Sequence, residues 1–443
     1  MSDLGAERAA RRKARVAWAV FALLWLGLIA GPAARFVRGA EGDFIHFYEA
    51  GRAVLEGTDL YASGRGGYIY PPAPAVLMAP LALVSMGAAG AIWVVIGGLM
   101  LCASVVLVTR ECVRRVGGAA DGALVPIASL LATIAIADKV RGDLRLGQTD
   151  PVVLLAIVLA LVWAAKRPLL AGVALGVGGL VKYQTIVFLP YFLLRNRWRE
   201  AGAMLAAAVV GSLLPALVFG WGRNLEYLAT GFAGLAEMLG VRTDRPAASI
   251  FPLTWERSVS LPSTFGRLAE RLAGEGGEPS FLIVAGGSGV VAIACLLLGW
   301  WMFARRGLGV LWRNGRQDES TPTRRAGVAC EWTGLIVAVL VFSPQTTMRH
   351  MVLLLIPAVL ASVLLLRVNW GRARWPLGVA IAIGALALVL PPGGGRWDPL
   401  AYDWRGVGGA SWVWLVVLFT TIWYALDAAR ADERGARADG SNA

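Results

Sequence analysis

Two histidines, His46 and His350, are the only imidazoles in a chain of 443 residues. His46 stands three residues after a carboxylate that heads a helical stretch, DFIHFYEAGRAVLEGTDLY, beginning at Asp43. Phe47, Ala50, Val54 and Leu55 fall on one face of that helix, Glu49, Arg52 and Glu56 on the other, and Gly57 is placed to stop it. Asp43 occupies the position of an N-cap, where Asp is favoured. A carboxylate there is also the type of group that takes a proton from an attacking hydroxyl. Residue type and spacing leave both roles open.

The other groups able to do chemistry are cations, phenols and amides. Tyr68 and Tyr70 lie in GGYIYPPAP, where they could stack on a ligand or belong to an interfacial aromatic belt. The stretch DKVRGDLRLGQTD at 138–150 carries Lys139, Arg141, Arg145 and Gln148 in what reads as a polar loop. Lys182 interrupts an otherwise apolar hairpin, and a cation at membrane depth is by default a functional group. SPQTTMRH at 343–350 sets Arg349 beside His350. No Asp-x-Asp pair or histidine cluster occurs among these segments, so no metal is indicated. Cys102, Cys112, Cys295 and Cys330 are scattered in or beside apolar segments, without a CxxC pair, and read as small apolar filler. GVGG at 176–179 lacks a phosphate-loop lysine and reads as helix packing by small residues.

The elements that must position these groups follow from composition. With 57% hydrophobic and only 16% charged residues, and a mean hydropathy of +0.63, the chain is an all-α integral membrane protein. Twelve apolar runs, from 16–34 to 411–426, predict about twelve transmembrane helices, most near the ~20 residues a crossing needs. The runs 169–181 and 184–194 are shorter and basic at both outer ends, so they read as two helices that go in and come back, with Lys182 near the tip. RAARRKAR precedes the first run, which reads as an uncleaved signal-anchor and puts the N-terminus in the cytoplasm. Alternation from there leaves the whole net charge of +13 on the cytoplasmic side, so basicity here means orientation and no nucleic-acid partner is needed.

This organisation predicts one transmembrane domain over 1–430 in the plasma membrane, with a disordered cytoplasmic tail at 431–443 and both termini inside. Outer loops are expected at 36–86 and 221–280, and a flexible inner connector at 305–325. The helix from 44 to 56 would lie on the outer face with its apolar side among lipid headgroups. The prolines at 71–80 would lead the chain obliquely into the second crossing.

Several of these stretches together resemble glycosyltransferase family 87, within the GT-C superfamily of polyprenyl-phosphate-dependent enzymes. They are DFIHFYEAGRAVLEGTDLY with YIYPPAPAVLMAPLALVS, then GQTD, KYQTIVFLPYFLLRNRWR and SPQTTMRHMVLLLIP, and the similarity covers roughly residues 40 to 370. The family includes mannosyltransferases that extend phosphatidylinositol mannosides. The resemblance implies a GT-C fold and inverting transfer of a sugar, typically mannose, from polyprenyl phosphate to a lipid or glycolipid acceptor on the outer face. It implies Asp43 as catalytic base and His350 as its partner or the phosphate's. Lys182, Arg349, Lys139, Arg141 and Arg145 become candidates for the donor phosphate, which must be neutralised as its bond breaks. His46, Tyr68, Tyr70 and Gln148 become candidates for the substrate cavity. The partners expected are the lipid-linked sugar, the glycolipid and membrane lipids, with no cofactor. One departure is visible: relatives often read Gly-Gln-x-Asn where this chain has Gly147-Gln148-Thr149-Asp150.

Two other classes fit a basic, many-helical chain. A secondary transporter would show a central pathway and matching broken helices in two related halves, a repeat not visible here, and a lipid-glycan flippase or polymerase would also be basic and many-helical. The discriminating feature is convergence of Asp43, Lys182 and His350 around a single cavity.

Overall fold

The computed structural model describes residues 2–61, 67–117, 122–238, 243–244, 248, 251–274, 280–309, 319–367, 375–390 and 397–440. Among these the regular structure is helical, and the one β-bridge joins Ser258 to Thr347. The helices are α1 (Ser2–Val37), α2 (Phe44–Glu56), α3 (Pro72–Met78), α4 (Met86–Val116), α5 (Leu124–Ala135), α6 (Ala137–Leu146) and α7 (Asp150–Trp163). They continue as α8 (Pro168–Val181), α9 (Phe188–Leu194), α10 (Trp198–Leu213), α11 (Ala216–Phe219), α12 (Trp221–Met238) and α13 (Leu261–Ala273). The last are α14 (Phe281–Ala304), α15 (Pro322–Phe342), α16 (Leu355–Arg367), α17 (Trp375–Val389), α18 (Asp398–Gly406) and α19 (Gly409–Gly440).

All twelve apolar runs are helical, and the chain is a multi-pass membrane protein. Seven helical segments are long and apolar enough to cross a bilayer. The remaining runs form shorter helices such as α5, α7 and α17, of 10–17 residues, so length alone does not carry them across. Near the middle of the bundle α4 packs against α1, α5, α7, α15 and α16. Small residues let α8 and α10 lie side by side, because Gly172 and Gly176 meet the backbone of Glu200 and Met204 where a Cβ would not fit. By contrast α14 presents nearly all of its apolar surface outward.

Several sequence expectations change. The apolar side of α2 is covered by protein: Phe44, Phe47, Ala50, Gly51 and Ala53 are buried, mainly against α3, the following 3₁₀ turn at Ala79–Leu83 and α4. Gly51 rests directly on the Met78 backbone. Of the expected apolar face, Phe47 and Ala50 thus meet protein, whereas Leu55 stays exposed. The expected loop 138–150 is mostly the amphipathic helix α6, and the loop 221–280 contains α12 and α13. Pro71 is extended, and helix begins at once at Pro72, which needs no N–H at that position. The expected tail is a continuation of α19 as far as Gly440. Residues 310–318 of the expected connector lie outside the described residues.

At one end of α4 a set of ion pairs is built around the buried Glu111 and Arg115. Glu111 accepts from Arg115 at 2.6 Å and from Arg114 at 2.7 Å, and both arginines also reach Glu319. Arg195 pairs with Glu331, and Arg197 with Glu200 at 2.9 Å.

Candidate active site

Asp43 reaches the bundle because Gly42 lies hard against the Leu146 backbone, a place with no room for a side chain. That contact sets the head of α2 beside the turn between α6 and α7. Gly147 makes the turn in the left-handed region, φ 66°, and α7 starts at Asp150 with Pro151 in its first turn. Trp93 of α4 pins it by donating its indole N–H to the carbonyls of Gly147 and Gln148 at 3.1 and 3.2 Å. The side chain of Asp43 does not cap α2. Its Oδ2 accepts from the Gln148 amide at 2.5 Å and pairs with Arg349.

Gln148 is a bridge. Its carbonyl accepts from Lys182 Nζ at 3.1 Å, and Lys182 also donates to Asp150 Oδ2 at 2.8 Å. Lys182 stands in extended backbone between α8 and the 3₁₀ turn Tyr183–Val187 that leads into α9, so the expected pair of short helices does meet at this lysine. It is 6% exposed and Asp150 is 0% exposed. Its charge is thus already matched inside the protein. His350, whose Nδ1 accepts from the Thr347 N–H at 3.4 Å, lies close enough to both to feel their charges.

These groups surround a cavity of about 1250 Å³. Asp43, His46, Tyr70, Lys139, Gln148, Lys182, Arg349 and His350 all line it. Lys139 pairs with its neighbour Asp138 at 2.8 Å. Burial pushes the Tyr70 phenol above its ordinary value, so it remains a proton donor. His46 packs against Gly67. Three expected residues are elsewhere. Arg141 and Arg145 point off α6 into the surroundings, and the Tyr68 ring is core, its hydroxyl donating to the Pro71 carbonyl at 2.7 Å. Tyr68 is therefore neither a sugar platform nor part of an interfacial belt: its ring packs with Phe47, Tyr61 and Tyr70.

The cavity also has a long apolar flank, with Leu175 and Leu180 from α8 and Met204, Leu205 and Ala208 from α10. Two cations that sequence reading did not single out, Arg257 and Arg405, lie on the wall with Trp255 and Trp404. Arg267 of α13 holds this wall together, donating to the carbonyls of Trp255 and Gly406 at 2.9 and 2.7 Å. Polar, aromatic composition at 221–280 and 394–407 was the available signal, but no spacing set those two arginines apart. Asp150 was visible only as a departure from a motif. A carboxylate, an adjacent guanidinium and an apolar flank suit a proton transfer next to an anionic, lipid-bearing ligand. Among the described residues no group of three or more His, Cys, Asp or Glu side chains could hold a metal ion.

Comparison with known proteins agrees in family. The model of glycosyltransferase family 87 matches residues 68–344. A polyprenol-phosphate-mannose-dependent alpha-(1-2)-phosphatidylinositol mannoside mannosyltransferase of Mycolicibacterium smegmatis is 27% identical over 434 residues, covering 94% of this chain and 91% of the relative. A protein of the same description from Mycobacterium tuberculosis is 29% identical over 437 residues, covering 90% of this chain and 88% of the relative. No solved structure matches the chain.

Proposed function

Because the chain belongs to glycosyltransferase family 87, we propose that it transfers mannose, with inversion, from a polyprenyl-phosphate donor to a phosphatidylinositol-mannoside-type glycolipid on the outer face of the plasma membrane. The observation that carries this reading is the placement of Asp43. Its side chain leaves the helix cap unmade and turns into a cavity that is cationic on one wall and apolar on another.

In the proposed reaction the acceptor hydroxyl attacks the anomeric carbon while Asp43 takes its proton. Gln148 and Arg349 both hold Oδ2, and Oδ1 is the oxygen assigned to the proton. The new bond forms between the acceptor oxygen and the anomeric carbon, and the bond to the phosphate oxygen breaks. Polyprenyl phosphate leaves with the electron pair, its charge met by Arg349, with Arg257, Arg405 and Lys139 lining the same cavity. Leu175, Leu180 and Leu205 provide an apolar path for the prenyl chain. His350 and Tyr70 supply hydrogen bonds to the sugar or phosphate. The reading invokes no cofactor and no metal.

The test is transfer from radiolabelled polyprenyl-phosphate-mannose to membrane lipid extracts, with a product heavier by one hexose. Asp43→Asn is expected to insert normally and to lose about 10²–10⁴-fold in transfer; full activity in that variant would remove Asp43 from the role of base. Sidedness is tested in a cysteine-free background. Cysteines at Thr230 and Leu400 should react with an impermeant thiol reagent from outside, and one at residue 315 should not. The opposite pattern would move the site to the cytoplasm.

A further inference from the structure

The carboxylate of Asp43 is one end of a chain of side chains that runs back into the protein. Asp43 accepts from Gln148, Gln148 accepts from Lys182, and Lys182 donates to Asp150. Near Asp150 lies the buried Asp143 of α6, close enough for each carboxyl to feel the other's charge. Both aspartates are 0% exposed, and Gln148 and Lys182 are 5% and 6% exposed.

Neither Asp143 oxygen, nor Oδ1 of Asp150, has a hydrogen-bond donor among the described residues. Two bare carboxylates side by side in the interior would be prohibitively costly. One proton held between them joins two of these three oxygens and leaves a single negative charge opposite the single positive charge of Lys182. Burial and the Asp150 carboxylate push the Asp143 carboxyl well above the usual carboxylate range, as such sharing requires. The group of three is then neutral and rigid.

Its effect on the site is directional. An ammonium has donors and no acceptor, so Lys182 can face only the carbonyl of Gln148. The amide N–H groups are thereby turned toward Asp43. Without Lys182 the amide could rotate and present its oxygen to the carboxylate, which would repel it. We infer that Lys182, Asp150 and Asp143 are positioning residues for the transfer, acting on Asp43 through the oriented amide of Gln148. This assigns Lys182 to the base and not to the donor phosphate, and it rests on the reading of Asp43 as base.

The experiment is a double-mutant cycle on the full chain in membranes, with kcat and donor KM measured for Lys182→Met, Gln148→Leu and the pair. Each single substitution is expected to lower kcat on the order of 100-fold, the effect of misplacing a reacting group, with donor KM unchanged. The pair should be no worse than the weaker enzyme of the two, because both act through one link. A raised donor KM with intact kcat in Lys182→Met would overturn the inference and return the lysine to the phosphate. Multiplying losses in the pair would overturn it as well. Where Lys182→Met does not accumulate, Lys182→Met/Asp150→Asn removes both charges together and is held to the same expectations. Failure of the base reading is seen separately, as full activity in Asp43→Asn.

Discussion

The two ends of α4 carry polar clusters of opposite character. Around Glu111 every carboxylate is matched by an arginine, Arg115 is 0% exposed, and Glu319 closes the group from another segment. Around Trp93, about 30 Å away by helical rise, the turn that Trp93 holds presents Gln148 to a cavity of about 1250 Å³, with Asp150 buried behind it. There the ionic groups are strung out in a chain that ends on Asp43 at the cavity wall. The first cluster is complete without a ligand. The second is built so that its last member can exchange partners. Buried ion pairs contribute little net stability, but removing one partner is costly, so the closed cluster should respond to mutation through folding and the open one through turnover.

The comparison can be broken in several ways. Asp43→Asn should cost about 10²–10⁴-fold in transfer, the span of general base catalysis, while thermal unfolding in detergent is unchanged. Arg115→Met should do the reverse, lowering stability by about 3 kcal/mol by stranding buried charge while the folded fraction keeps its kcat. Equal effects on both readouts in either variant would erase the distinction between the ends. Arg349→Met tests whether the cation on Asp43 also serves the donor: donor KM should rise roughly tenfold, worth ~1.4 kcal/mol. Unchanged donor KM would confine Arg349 to the carboxylate. The smallest effect is expected for Arg145→Ala, whose side chain leaves the cavity; donor KM should move by no more than ~0.5 kcal/mol, as for surface substitutions generally. A larger shift would place Arg145 itself in donor binding after all.

Part of this arrangement was legible in the residues themselves. Helix α2, its carboxylate head and its stop at Gly57 follow from 3.6-residue spacing and from a glycine that takes φ 71°. The helical hairpin with Lys182 at its turn follows from two short apolar runs between basic ends. Local periodicity carries these features because each depends on neighbours within a turn or two. The helices α12 and α13 were lost inside a polar stretch because amphipathic helices of mixed composition give no long apolar run to see.

The sequence by itself determined that the chain is a helical membrane protein, that its polar and aromatic residues gather in a few segments, and that Asp43 heads a helix. Only the tertiary structure decided that α2 buries its apolar side in protein, since lipid and protein interior are equally apolar and periodicity cannot tell them apart. Only the tertiary structure set Asp43 on Gln148 and Arg349, and Lys182 on Asp150. Those pairs join positions from four separate helix junctions. A charge at a given position shows what it can bind, but its partner is whichever group the packing of distant helices brings within hydrogen-bonding reach.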